Sequence, residues 1–249
     1  MPRPSPPIIP PDLLLRAYRA GIFPMADSRD DPDVYWVEPR QRAILPLDGF
    51  HLSHSLARTL RRGRFRVTCN AAFDAVIDHC AAPRADAPES WISARIRDSY
   101  RALHQLGSAH SIECWQTGAD GTERLVGGLY GVGFDRVFCG ESMFARAPDA
   151  SKVALAWLVA ALRRGGAELL DCQFTTPHLA SLGAVEIPQA DYLTRLAHAI
   201  GRGYGGGAAG SDAPSAGLLP LGFAALVEAA AGSSSSPGNF IAQSLIHTS

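Results

Sequence analysis

Lysine is nearly missing from this chain. Of its 23 basic residues only Lys152 is a lysine, and the formal net charge is −1, so no global basic field points to a nucleic-acid partner. Cysteine is sparse too: Cys69, Cys80, Cys114, Cys139 and Cys172 are odd in number, widely spaced and form no C-x-x-C. That pattern argues against a disulfide framework and a structural zinc site, and predicts a reduced protein with no bound metal. No apolar run is long enough to span a bilayer, and residues 1–11 are proline-rich with no apolar signal core. A cytoplasmic protein without a membrane partner is expected. Neither a G-x-x-x-x-G-K-[ST] loop nor a dinucleotide fingerprint occurs, so no cofactor is expected. Internal repeats are absent as well.

What is there describes a folded protein. Across 249 residues, 47% are hydrophobic and 19% charged, an ordinary balance with enough apolar surface for a core. Residues 13–20 read as a first helix stopped by Gly21, followed by short strands at 34–36 and 42–45 broken by Pro39 and Pro46. This makes a small N-terminal α/β domain, placed at 1–52. Ser53 caps a basic helix, a strand is expected at 65–68, and Asn70 opens a further helix. A helix with Ile96, Tyr100 and Leu103 at helical spacing precedes an antiparallel meander at 111–116, 124–132 and 136–139. Asp149 or Ser151 caps a strong helix ending at Gly165-Gly166, a strand spans 167–174, and a last helix runs through 190–200. The prediction is an α+β fold whose larger domain, at 53–205, has a mainly antiparallel sheet. Residues 206–249, rich in Gly, Ala and Ser, read as a partly mobile tail with an apolar patch at 218–227 and a weak edge-strand signal at 240–246.

Two local features carry chemistry. Arg58, Arg61, Arg62, Arg64 and Arg66 fall within nine residues. Alone, such a run reads as a solvated helix face; its planar forks also suit phosphates, so an RNA-backbone footprint is the competing reading. The second feature runs from Arg136-Val-Phe-Cys-Gly-Glu-Ser-Met-Phe144 through Ser151-Lys-Val to Leu170-Asp-Cys-Gln173. Asp171 and Gln173 are two apart, so on a strand they project from one face. An acid beside an amide, with Glu141 near, is more polar material than a core tolerates without purpose. Gly140 gives the backbone freedom to re-aim the Glu141 carboxylate. The bland alternatives are a surface ion pair of Glu141 with Arg136 or Arg146, and a structural hydrogen-bond pair at Asp171 and Gln173.

A helical first half, a meander, a helix and a further strand are similar to the acyl-CoA N-acyltransferase (GNAT) fold. In that fold a glycine-rich loop before the central helix cradles pyrophosphate; here Ala145-Arg-Ala-Pro-Asp-Ala150 contains no glycine. A second resemblance is more specific. Gly21-Ile-Phe-Pro24, Trp36 with Pro39-Arg40, Ser90-Trp91-Ile92, Gly127-Gly-Leu-Tyr-Gly131, Val137–Phe144, Ala150-Ser-Lys152, Asp171-Cys-Gln173, His178, Ala180–Ala184 and Glu186-Ile-Pro188 occur in register from about residue 12 to 196. Together they resemble the leucyl/phenylalanyl-tRNA–protein transferase family. The resemblance implies a monomeric cytoplasmic bacterial enzyme with a GNAT-like larger domain. It would move Leu or Phe, and less well Met, from charged tRNA to proteins beginning with Arg or Lys, marking them for N-degron proteolysis. An acyl-CoA-dependent N-acyltransferase and a non-catalytic RNA-binding module are the alternatives.

The resemblance also implies residue roles. Gln173 holds the attacking amine through its side-chain oxygen, Asp171 polarises that amide, and Glu141 orients substrate. Phe138, Met143, Leu129 and Leu158 form the aminoacyl side-chain pocket. Trp36 and Trp91 stack on the terminal adenosine of tRNA, and Arg58, Arg61, Arg62, Arg64 and Arg66 contact its phosphates. Met25 and Leu158 depart from aromatics of the family pattern, and the second change enlarges the pocket. Such chemistry fits the absence of an ATP site, because an aminoacyl ester already stores the free energy of amide formation. What remains is to position ester and amine and to provide a sink for the amine's proton.

Overall fold

The computed structural model describes residues 7–83, 89–201 and 217–246. The N-terminal part holds helix α1 (Pro11–Arg19), strands β1 (Phe23–Met25) and β2 (Tyr35–Val37), and strand β3 (Gln41–Ile44). β1 and β2 form a two-stranded sheet of their own, but β3 joins the main sheet. Residues before 53 therefore contribute to both sheets. Next come α2 (His54–Arg61), β4 (Arg66–Cys69), α3 (Phe73–Ala81) and α4 (Ala94–Gln105), then the meander β5 (Ala109–Thr117), β6 (Glu123–Phe134) and β7 (Val137–Ala145). After it follow α5 (Ala150–Gly165), β8 (Leu169–Gln173), α6 (Pro177–Ser181), β9 (Val185–Pro188) and α7 (Gln189–Gly201).

The main sheet has seven strands in the order β4-β5-β6-β7-β8-β3-β9. Its pairings are antiparallel except β7 with β8, which are joined through α5 and run parallel. This is the expected α+β architecture with a mainly antiparallel sheet and an N-terminal module. The two faces carry separate apolar layers. One centres on α5, whose residues from Val153 to Leu162 are all buried; the other packs α1, α3, α4 and α7 against the opposite face. Ser53 does cap α2, its hydroxyl accepting the Leu56 N–H at 3.2 Å. Asn70 does not open α3. It sits in a left-handed conformation (φ 59°) three residues before Phe73, where α3 begins, and its side-chain oxygen accepts the Ser111 N–H from β5.

The C-terminal stretch corrects the expectation of a loose tail ending in an edge strand. Residues 206–216 and 247–249 of that tail lie outside the described residues, but 217–246 hold two helices, α8 (Leu218–Ala231) and α9 (Pro237–Ile246). α8 lies along α5 so closely that a Cβ at Gly222 would run into the Ala161 carbonyl oxygen. Small residues, read from composition as flexibility, here let one helix lie on another. α9 packs behind α2, with Gly238 against the Leu60 carbonyl. Pro237 opens α9, as suits a first helical position, so 240–246 continue a helix and not a strand.

Candidate active site

β7 and β8 are paired at Val137–Leu169, Phe138–Leu170 and Cys139–Asp171, and past that point their pairing ends although both strands continue. The gap opens into a cavity of about 630 Å³, within the usual range of small-molecule sites. Glu141 and Met143 line it from β7 and Gln173 from β8, while Leu155 and Leu158 of α5 and Leu129 of β6 make an apolar wall.

Local backbone irregularities aim the polar groups on the two lips of this gap. On β7, Gly131 pairs with Gly140 and Tyr130 with Ser142, which leaves Glu141 unopposed in a bulge; a bulge re-aims the side chain it carries. On β8, Gln173 sits at φ 62°, a left-handed conformation uncommon for a residue with a side chain. Gln173 Nε2 donates to Glu141 Oε1 at 2.9 Å, bridging the lips. With its nitrogen so fixed, the amide turns its oxygen the other way, and that oxygen has no hydrogen-bond partner among the described residues.

Glu141 is enclosed by neutral donors. The Tyr18 hydroxyl of α1 donates to Oε1 at 2.7 Å and the Tyr100 hydroxyl of α4 to Oε2 at 3.0 Å, and the two phenols contact each other. Burial pushes the Glu141 carboxyl up to about 7, although the bonds from Tyr18, Gln173 and Tyr100 favour its charged form. Both phenols are raised well above the usual tyrosine value, by burial first and the nearby Glu141 charge second. They therefore remain protonated donors.

Asp171 has different company and a different task. Arg42 of β3 grips it with both edges, Nε to Oδ1 at 2.9 Å and an Nη to Oδ2 at 2.6 Å, in a fully buried pair. The other Arg42 Nη donates to the Gly21 carbonyl at 3.0 Å, and the guanidinium lies between the rings of Phe23 and Tyr192. Burial alone would lower the Arg42 pKa, but the bond and charge of Asp171 more than offset it and the net shift is upward. Oδ2 also accepts from the Tyr192 hydroxyl at 3.0 Å. Oδ1 accepts the Gln173 main-chain N–H at 2.8 Å. This corrects the expectation that Asp171 polarises the Gln173 side chain: it holds the backbone of the left-handed residue, and the side-chain amide belongs to Glu141. An acid bonding the N–H two residues on is an ordinary turn device.

The remaining predicted residues divide. Leu129, Met143 and Leu158 line the cavity, as does Trp91, which is half-buried. Phe138 is fully buried and does not reach the cavity; it precedes the bulge and packs with Leu129 and Leu158 inside the core. Trp36 is exposed on β2, paired beside Pro24, and the cavity is reached from that module by Met25 instead. All five arginines of the basic run are exposed on and after α2. Arg66 is already bound to Glu123 by two bonds of 2.6 and 2.7 Å, whereas Arg58, Arg61 and Arg62 have no ion pair among the described residues. His178 lines the cavity with a buried Nε2 that has no partner among the described residues, and burial followed by the Lys152 charge lowers its pKa.

Sequence reasoning missed Arg42, Tyr18 and Tyr192. Arg42 carried one available signal: it is a charged residue directly against the apolar run 43–45. Among the described residues no cluster of His, Cys, Asp and Glu is placed to hold a metal, and no helix is long and apolar enough to cross a membrane.

Comparison with known proteins places most of the chain in one family. Residues 44–197 match the family model of the leucyl/phenylalanyl-tRNA protein transferase, and residues 9–40 match the model of that family's N-terminal domain. Neither reaches α8 or α9. The leucyl/phenylalanyl-tRNA–protein transferase of Novosphingobium aromaticivorans is 69% identical over the whole of both chains. That of Rhizorhabdus wittichii is 59% identical over 81% of this chain and 79% of its own, and that of Zymomonas mobilis 60% over 78% and 70%. The chain is an aminoacyltransferase and belongs to the leucyl/phenylalanyl-tRNA–protein transferase family.

Proposed function

We propose that this protein transfers Leu or Phe, and less well Met, from charged tRNA to the amino terminus of proteins beginning with Arg or Lys, forming a peptide bond that marks them for N-degron proteolysis. The observation that carries the reading is the cavity between the diverging strands, with an apolar wall on one side and a fixed amide on the other. Leu129, Met143, Leu155 and Leu158 offer an aminoacyl side chain unbranched at Cβ an adaptable apolar wall. Discrimination between Leu and Phe there is modest, because apolar pockets separate such groups by only about 1–3 kcal/mol. The Gln173 oxygen, aimed by the bond from Nε2 to Glu141, receives an N–H of the attacking amine. Trp91 at the cavity and Trp36 on β2 supply flat faces for the terminal adenosine, and Arg58, Arg61, Arg62 and Arg64 receive phosphates of the acceptor stem.

The parallel pair β7–β8, joined through α5 and splaying past Asp171, supports a GNAT-like larger domain. In that reading the tRNA ester occupies the place that a CoA thioester takes elsewhere, and no cofactor is needed. The protein works as a cytoplasmic monomer.

The test is transfer of labelled Leu from Leu-tRNA to a peptide beginning with Arg. The wild type is expected to transfer, and Gln173→Ala to lose about 10²-fold or more in kcat/KM. No transfer by the wild type, or saturable use of acetyl-CoA in place of charged tRNA, overturns the reading.

A further inference from the structure

Tyr18 and Tyr100 have no task in that reading, and a proton remains to be placed. Glu141 Oε1 accepts from Tyr18 at 2.7 Å and from Gln173 at 2.9 Å, and Oε2 accepts from Tyr100 at 3.0 Å. A carboxylate offers about four acceptor sites. Three are filled, and Glu141 borders the cavity, so one is left for a group arriving there. Among the described residues no cation pairs with it. The titratable groups facing it are Tyr18 of α1, Tyr100 of α4, Tyr130 of β6, Cys139 on its own strand and Asp171 of β8. Arg42, the nearest buried cation, is committed to Asp171.

We propose that Glu141 accepts the proton of the attacking amine, and that Tyr18 and Tyr100 are positioning residues that hold it ready to do so. The inference rests on the transferase reading above. The acceptor's amine has a pKa of roughly 7.7–8.0 and arrives largely as an ammonium with three N–H bonds. One proton passes to the open acceptor site of Glu141. The neutral amine, held by Gln173, donates its lone pair to the ester carbonyl carbon, forming the C–N bond. Collapse of the adduct breaks the bond between that carbon and the ribose oxygen, which takes a second nitrogen proton and leaves as a hydroxyl. The product amide keeps one N–H, and Glu141 returns its proton to water through the cavity. Because burial pushes Glu141 up to about 7, its affinity for the proton lies near that of the amine, and the first transfer is close to balanced.

The experiment measures kcat for Leu transfer to the Arg peptide, with both substrates saturating, from pH 6 to 8.5. Wild type, Tyr18→Phe, Tyr100→Phe and Glu141→Gln are compared. Each Tyr→Phe change removes a donor that favours the carboxylate, so the acid limb is expected to move up by about half to one pH unit with KM for charged tRNA unchanged. Glu141→Gln is expected to lose about 10²-fold in kcat. A purely structural role would lower kcat by one factor at every pH. Acid limbs that coincide in wild type and both Tyr variants would mean that the amine's own titration sets the limb, which overturns the proposal. So does a Glu141→Gln enzyme with wild-type kcat. Should Tyr100→Phe fail to fold, Tyr18→Phe decides alone, because it removes a separate bond. A wild type that transfers no Leu strikes the transferase reading; one that transfers with immobile limbs strikes the proton-acceptor role alone.

Discussion

Asp171 and Glu141 stand on neighbouring strands, both out of solvent, and differ in what faces them. Asp171 meets a guanidinium in a two-pronged pair, with further bonds from Tyr192 and the Gln173 main chain. Glu141 meets two phenols and an amide, all neutral. The first charge is cancelled inside the fold, so its carboxylate serves as a fixed structural corner. The second is hydrogen-bonded but not neutralised, which burial makes unfavourable, and its proton affinity rises toward neutrality. Between them lies Gln173, its backbone held by one acid and its side chain by the other.

Arg42→Met breaks the comparison most severely. It leaves Asp171 buried without its cation, and removal of one partner of a buried pair costs about 3–5 kcal/mol. Loss of the bond to the Gly21 carbonyl adds to this, because that carbonyl closes the left-handed turn (φ 81°) after α1. Urea unfolding at pH 7 measures it. The double change Arg42→Met with Asp171→Leu is expected to recover much of the loss, since neither charge then remains. A loss below about 1 kcal/mol in the single variant would place Asp171 and Glu141 on the same footing, contrary to the geometry.

Glu141 has its own stability signature, of opposite origin. Its carboxyl titrates near 4.3 in an unfolded chain and at about 7 in the fold. Between those values the folded state keeps a proton that the unfolded state has released. The contribution is therefore complete below the unfolded pKa and lost as pH rises through the folded one, by an amount on the order of 3 kcal/mol. Glu141→Gln cannot titrate. The difference in unfolding free energy between wild type and Glu141→Gln should shift by that order between pH 4.5 and 8, in favour of the variant at high pH. A flat difference would mean that the neutral donors compensate Glu141 as fully as Arg42 compensates Asp171.

How far the sequence announces this arrangement varies with the range of the interaction. The meander, α5 and the strand ending at Gln173 are legible, because periodicity and glycine stops are local. Asp171, Gln173 and Glu141 are legible as polar residues set among apolar ones. Arg42 is not, because its partner lies 129 positions along the chain and only the pairing of β3 with β8 brings them together. Tyr18 and Tyr100 occupy the apolar faces of two amphipathic helices, where a phenol looks like core until both hydroxyls meet over one carboxylate. Phe138 illustrates the opposite error. The resemblance groups it with Met143, but the two are five apart on β7, where a regular strand sets them on opposite faces, and Phe138 is buried away from the cavity that Met143 lines. In the C-terminal stretch, composition suggests flexibility while Gly222 is fixed by contact with α5, a fact that only three dimensions contain.

The contrast between a charge met at home and one left for a partner recurs, more weakly, on the basic run. Arg66 forks onto Glu123 and lies over the Trp115 ring, while Arg58, Arg61 and Arg62 are exposed with no ion pair among the described residues. An exposed pair is worth at most about 1 kcal/mol, so Arg66 is not locked in place. Glu123 nevertheless remains beside any phosphate that approaches, and its repulsion offsets what Arg66 offers. Binding of charged tRNA across a salt series separates the two classes. Each lost phosphate contact lowers the log–log salt slope by roughly 0.7–0.9. Arg61→Ala should show that decrement and Arg66→Ala close to none. Equal decrements would mean that Glu123 releases its arginine when tRNA binds, and that the ion pair is an idle-state arrangement of a five-arginine footprint.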